Sequence, residues 1–163
     1  MKQNATLIVG RFQPFHKGHE EIVNRARRLG TVVIGIIGRD DDMLTKNSPF
    51  PSRFVGDQIK WRFGDCNNVH ITFLRNGNLI EAKQNILARG LIIDAVMCGP
   101  DRFASYDEQS KKYDLDIKVL RIPEIYNIRG TQVRQALVDG DREEWARMMG
   151  ANIGMVKYKR YIK

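Results

Sequence analysis

The chain has 163 residues, of which 42% are hydrophobic and 28% charged, a composition typical of one soluble globular domain and not of a disordered or collagen-like chain. No apolar run approaches the ~20 residues that span a bilayer, and the start MKQNATLIVGR lacks the pattern of a signal peptide, so we expect a cytoplasmic protein without membrane attachment. The formal net charge of +8 favours anionic partners such as nucleotides, phosphorylated metabolites or nucleic acid. Cys66 and Cys98 stand far apart, which argues against structural zinc and disulfides.

Apolar runs rich in Val, Ile and Leu alternate with helical patterns along the chain. Continuous runs of this kind are typical of strands buried on both faces of a parallel sheet. The predicted strands cover residues 6–9, 32–37, 69–74, 94–98 and 117–122. The predicted helices cover residues 19–29, 52–63, 79–89, 103–113, 132–138 and 142–149. The alternation predicts a doubly wound α/β fold that forms a single domain over residues 1–163.

Several local signals refine this arrangement. Residues 39–53, RDDDMLTKNSPFPSR, form the longest predicted loop, and long loops in such folds often close over ligands. Thr131 and Asp141 are predicted to cap the last two helices. These C-terminal helices begin at about residue 131, and the basic stretch KYKRYIK at 157–163 is interpreted as a solvated tail.

The stretch GRFQPFHKGH, residues 10–19, follows the first predicted strand. Ligands of open parallel sheets bind outside the carboxyl ends of the strands, so this stretch lies where a site is expected. Gly10 permits a tight exit from the strand, and Gly18 lets a bound group approach the backbone at the helix start. His16 and His19 are three residues apart and would face the same side of that helix.

Three interpretations of the two histidines compete. They could be incidental polar residues near a helix start. A metal site would need a third ligand, and the remaining histidine, His70, begins a later strand without a nearby cluster of carboxylates. In a phosphate site, the imidazoles, backbone amides, Arg11 and Lys17 would surround a phosphoryl group. The stretch contains neither GxGxxG nor GxxxxGK[ST], which argues against ordinary dehydrogenases and P-loop kinases.

A second stretch, NIRGTQVRQAL at 127–137, supports the phosphate interpretation. Gly130 and Thr131 precede a helical pattern whose first amides could point at an anion. Arg129 and Arg134 would add planar guanidinium groups suited to polyphosphate oxygens. The alternative is an ordinary capped helix with solvent-facing arginines.

GRFQPFHKGH resembles the HxGH signature of the nucleotidyltransferase superfamily, and IRGTQVR resembles its second signature, ISxTxxR. The chain is most similar to compact nicotinamide mononucleotide adenylyltransferases of archaeal type, and the SPF at 48–50 resembles the NPF of their loop. The resemblance implies a Rossmann-like, five-stranded parallel sheet with helices on both faces. It also implies that AMP passes from ATP to nicotinamide mononucleotide, giving NAD and pyrophosphate, with Mg²⁺ or another divalent cation and no covalent enzyme intermediate. Enzymes of this family are commonly homo-oligomers.

The resemblance also implies the site residues. His16, His19 and Arg11 would be catalytic, and no protein side chain is identified as a metal ligand. The implied ATP contacts are Gly10, Arg11, Phe12, His16, Gly18, His19, Gly99, Asp101, Ile128, Gly130, Thr131 and Arg134. Further candidates for phosphate contacts are Lys17, Arg53 and Arg129. Arg129 stands where the second signature usually has Ser, so the signatures constrain the acceptor less than the ATP donor.

Two other functions remain open at this point. A related transferase could join ATP or CTP to another phosphorylated acceptor, such as phosphopantetheine or glycerol phosphate. A nucleic-acid-binding module would agree with the net charge of +8. However, aromatic and basic residues are not interleaved through the fold as a stacking platform requires, and no helix-turn-helix or zinc pattern occurs.

Overall fold

The computed structural model describes residues 2–38, 44–122 and 127–162. It contains one parallel sheet with the strand order β3-β2-β1-β4-β5, which confirms the predicted α/β fold. The strands are β1 (Gln3–Gly10), β2 (Thr31–Ile37), β3 (Val69–Leu74), β4 (Leu91–Cys98) and β5 (Lys118–Arg121). The helices are α1 (Lys17–Leu29), α2 (Ser52–Phe63), α3 (Leu79–Leu87), α4 (Pro100–Lys112), α5 (Gly130–Asp139), α6 (Arg142–Met149) and α7 (Val156–Lys159).

The strand order reverses at β1. The chain passes from β1 outward to β2 and β3, and it then returns to pair β4 with the other side of β1, with Ile8 opposite Met97. The segments that follow β1 and β4 therefore leave the sheet in different directions, and a crevice opens between them. The stretch that contains both histidines begins at this crevice.

Apolar side chains form one cluster on each face of the sheet. One cluster joins Ile8 and Ile34 to helices α1, α2, α5 and α6 and includes Trp145 of α6. The other joins Leu7 and Val33 to helices α3 and α4. Because β2 supplies buried residues to both clusters, its sequence TVVIGII is apolar apart from Thr31, as expected for a strand covered on both faces.

The structure confirms one of the two predicted helix caps. Asp141 caps α6 as predicted, since its Oδ1 accepts a hydrogen bond from the amide of Glu144 at 3.1 Å. The prediction for Thr131 is wrong, because α5 already begins at Gly130. The side chain of Gln132 instead accepts a hydrogen bond from the amide of Arg129 at 3.0 Å. Thr131 is exposed.

The basic C-terminal stretch is not simply a solvated tail. Residues 156–159 form the short helix α7, and the Tyr158 side chain is only 2% exposed. The Tyr158 ring lies 5.1 Å from the ring of Trp145 and 5.1 Å from that of Phe54. The two lysines of α7 are exposed, so charged and buried apolar side chains alternate along this helix. No helix in the described part of the chain is both long and apolar enough to cross a membrane.

Candidate functional site

The loop after β1 is fixed by its own signature residues. The Gln13 side chain is buried and makes two hydrogen bonds with the backbone of Phe50: its Nε2 donates to the carbonyl oxygen at 2.8 Å, and its Oε1 accepts from the amide at 2.9 Å. These bonds join the first signature to the SPF segment. Phe12 has a φ of 54°, a left-handed conformation that is uncommon outside glycine, and its ring is buried. The loop is therefore fixed both by the hydrogen bonds of Gln13 to the SPF segment and by the buried ring of Phe12.

His16 and His19 form a reciprocal cap at the start of α1. The Nδ1 atom of His16 accepts a hydrogen bond from the amide of Gly18 at 3.1 Å. The Nδ1 atom of His19 accepts one from the amide of His16 at 3.3 Å. The two rings stack with a centroid distance of 3.7 Å and an interplanar angle of 21°. His16 is 4% exposed, whereas His19 is half-buried.

These bonds define the protonation state of both rings. A nitrogen that accepts from an amide carries no proton, so in the neutral ring the proton lies on Nε2. Burial, assisted by the positive charge of Arg62, lowers the pKa of His16 to about 4. Burial, His16 and Arg62 together lower the pKa of His19 well below its usual range. At neutral pH each imidazole is therefore an uncharged donor through Nε2–H.

The second signature packs directly on the first. The Nη1 atom of Arg134 donates to the carbonyl oxygen of Gln13 at 2.6 Å. At Gly130, a Cβ atom would lie 3.1 Å from the same oxygen and 2.9 Å from Nη1 of Arg134, which leaves no room for a side chain. The start of α5 thus lies against the loop that carries the histidine pair, although these residues are far apart in the sequence.

A cavity of about 380 Å³ opens beside this loop. It lies at the carboxyl edge of the sheet, between the segments that follow β1, β2 and β3 and the first turn of α4. Among the residues that line it are Arg11, Gln13, Ser48, Arg75, Asn76 and Arg102. The Ser48 hydroxyl is buried and has no hydrogen-bond partner within the described residues, so it is available to a ligand.

The remaining predicted residues lie in different places. Gly99 and Asp101 begin α4 at the carboxyl end of β4, on the same edge of the sheet as Gly10. Lys17 and Ile128 line a second cavity, of about 450 Å³, together with Glu20 and Arg147.

Arg53 and Arg129 are exposed, on α2 and just before α5 respectively. His70 lies on β3. The segment 39–43 of the predicted loop lies outside the described residues, and the rest of the loop ends where α2 begins at Ser52.

Sequence reasoning missed three arginines. Arg75 directly follows β3, Arg102 follows Asp101, and Arg62 lies in the last turn of α2. The position of Arg75 after a strand and of Arg102 beside a predicted site residue could have indicated the first two. No local signal marks Arg62, because its surroundings come from other helices. Across residues 2–38, 44–122 and 127–162, no three His, Cys, Asp or Glu side chains form a group that could hold a metal ion.

Several known proteins are similar to this chain in sequence. Residues 7–54 match the family model described as cytidylyltransferase-like. FAD synthase from Thermococcus kodakarensis is 23% identical over 128 residues, which are 77% of this chain and 83% of that protein. Nicotinamide-nucleotide adenylyltransferase from Thermoplasma volcanium is 43% identical over 49 residues, 30% of this chain and 28% of that protein.

The fold is also found in a solved structure. It is a bifunctional NMN adenylyltransferase/ADP ribose pyrophosphatase from Francisella tularensis, complexed with AMP and a manganese ion. The TM-score is 0.72 at 19% identity, over 96% of this chain and 49% of that one. The chain therefore spans about half the length of that protein, and the matched segment covers under a third of the Thermoplasma relative.

Proposed function

We propose that this chain, a member of the nucleotidyltransferase superfamily related to nicotinamide mononucleotide adenylyltransferases, transfers AMP from ATP to nicotinamide mononucleotide. The observation that carries the proposal is the hydrogen bond from Arg134 to the Gln13 carbonyl. It brings the second signature against the histidine pair, as an enzyme needs in order to hold one triphosphate from two sides.

The reaction needs no protein nucleophile. An oxygen of the acceptor's 5′-phosphate attacks the α-phosphorus of ATP, the bond from that phosphorus to the bridging oxygen breaks, and pyrophosphate leaves. The acceptor phosphate is already ionised at neutral pH. The protein therefore has to align two anions and stabilise the charge that develops between them.

In this proposal, the histidines act as uncharged hydrogen-bond donors. Both Nδ1 atoms are occupied by amides, which leaves Nε2–H of each ring to donate to phosphate oxygens. Arg11 and Arg134 supply positive charge, and Thr131 with the first amides of α5 would bind the β- and γ-phosphates of the leaving group. ATP would enter as its complex with a divalent cation, Mg²⁺ being the expected one, so the ion arrives with the substrate.

The cavity of about 380 Å³ is the proposed acceptor site. Its arginines suit a phosphorylated substrate, and the Ser48 hydroxyl, which has no partner among the described residues, would offer a hydrogen bond to it. Gly99 and Asp101 at the start of α4 would contact the nucleoside of ATP.

The test is a panel of purified reactions with Mg²⁺. ATP or CTP is combined with nicotinamide mononucleotide, nicotinic acid mononucleotide, phosphopantetheine or glycerol phosphate, and both pyrophosphate and the joined product are measured. We expect ATP with nicotinamide mononucleotide to give NAD. If another pair reacts and this one does not, the proposed acceptor is wrong.

FMN is a second candidate acceptor. The match to an FAD synthase extends over 77% of this chain, a far larger share than the 30% matched by the nicotinamide-nucleotide adenylyltransferase. The chemistry would be the same, because FMN also presents a phosphate monoester to ATP, and the product would be FAD. FMN therefore belongs in the panel, where release of FAD would favour it over the pyridine nucleotide.

A further inference from the structure

Arg62 is a buried cation directly behind the histidine pair. Its side chain is only 7% exposed. It forms an ion pair with Glu20 on α1 and donates through Nη2 to the carbonyl oxygen of Met149, at the end of α6, at 3.0 Å. One guanidinium group thus connects α1, α2 and α6.

The same guanidinium packs on the aromatic rings next to the site. Its Cζ atom lies 5.5 Å from the centroid of the Phe15 ring, within the range of a cation–π contact. The Phe15 ring lies 5.5 Å from the ring of His19, which stacks on His16 at 3.7 Å. Arg62, Phe15, His19 and His16 therefore form a continuous stack that ends at the site.

We propose that Arg62 is a positioning residue for the reaction, and that it fixes the stack of Phe15, His19 and His16 in the single arrangement seen here. The planar guanidinium reaches Glu20 and Met149 at once while its Cζ atom lies over the Phe15 ring, which the single ammonium of a lysine does not do. The proposal rests on the proposed function, since it assigns Arg62 to the same reaction.

The positive charge of Arg62, like its contacts, favours the arrangement in which both imidazole Nδ1 atoms accept hydrogen bonds from amides. If either imidazole gained a proton on Nδ1, it would lose its bond to an amide and the reciprocal cap would open. A fixed positive charge nearby disfavours that proton, and among the described residues Arg62 is the charged side chain that lowers the pKa of both rings. Other charged side chains on the surrounding helices include Lys17, Glu20 and Glu21 on α1, Asp57 and Lys60 on α2, Arg134 on α5, and Glu144 and Arg147 on α6.

The test compares Arg62→Met with Arg62→Lys. We expect Arg62→Met to lower kcat by about tenfold or more, with a much smaller effect on the KM for ATP. The acid limb of the pH profile, where kcat falls as the pH is lowered, should move to higher pH. In Arg62→Lys, which retains the charge, the acid limb should return toward that of the wild type while kcat recovers only in part. A purely structural residue would lower the unfolding midpoint and leave the acid limb in place.

NMR titration of the histidine ring protons provides a readout that does not depend on turnover. Arg62→Met should raise the pKa of His16 and His19 and leave that of His70 unchanged. Arg25→Met is the matched control. It removes an arginine of α1 whose Nε lies 3.2 Å from Oε1 of Glu21 in an exposed ion pair within that helix. It should change neither kcat nor the histidine titrations.

Each outcome decides a separate question. Unchanged titrations and kcat in Arg62→Met would overturn the positioning role. If Arg62→Met does not fold, Glu20→Gln removes the anchoring carboxylate but keeps the guanidinium. It should lower kcat below that of the wild type and keep the acid limb, and a wild-type kcat would refute the anchoring. If the wild type transfers AMP to no acceptor, the proposed function fails, while the titrations still decide whether Arg62 controls the pair.

Discussion

His16→Asn should remove a specific part of the acid sensitivity of the fold. In the folded protein the pKa of His16 is lowered to about 4, against an ordinary value of 6.5. Between these two pH values the unfolded chain binds the proton and the folded chain does not. The free energy of unfolding therefore decreases as the pH falls from about 6.5 to about 4, and it is insensitive to this group above that window.

The size of the effect follows from the two pKa values. The difference between 6.5 and about 4 corresponds to about 3 kcal/mol lost across the window. Asn is a suitable replacement because it is among the best N-cap residues and can accept the hydrogen bond from the amide of Gly18. The variant loses the stacking on His19 at every pH, so its overall stability falls, but it should lose much less additional stability on acidification.

The assay is urea unfolding of the wild type and of His16→Asn at about pH 7 and about pH 4.5. Carboxylates titrate alike in both proteins, so the difference between the two pH dependences reports the loss of His16 together with its effect on the pKa of His19. His70→Asn is the control, because His70 is more exposed than His16, and it should retain the wild-type dependence more closely. If the wild type and His16→Asn lose equal stability on acidification, the buried and neutral state of His16 is wrong.

Three further predictions concern the two signatures. His19→Ala should keep the fold and lower kcat by about 100-fold or more, since it removes a transition-state donor; steady-state kinetics with circular dichroism test this. Arg134→Ala removes both a phosphate contact and the bond to Gln13, so the KM for ATP should rise about tenfold, and an unchanged ATP dependence would contradict it. Gly130→Ala should lower the free energy of unfolding by about 1 to 3 kcal/mol, measurable by urea unfolding, because its Cβ would meet the Gln13 carbonyl. Gly90→Ala has open space at the Cβ but a φ of +76°, so it separates crowding from backbone strain.

The sequence determined the elements whose boundaries depend on nearby residues. Helix α6 begins where predicted, because Asp141 caps it three residues away. The strand β3 has the predicted ends, and β2 differs only by the additional Thr31 at its start, since burial on both faces leaves a clear apolar run. The ten-residue signature likewise indicated the histidine pair, but His16 is the extended N-cap of α1, so the two rings meet through the reciprocal cap and not through helical spacing.

Only the tertiary structure decided how these parts meet. The bond from Arg134 to Gln13 joins residues 121 positions apart, and the bonds from Gln13 to Phe50 join residues 37 positions apart. The basic terminal stretch places Tyr158 in the core because α2 and α6 supply aromatic partners for it. Arg62 is buried behind the histidines because α1 and α6 supply its partners. Local patterns record spacing along the chain, whereas burial and charge pairing depend on which distant segments the folded sheet brings together.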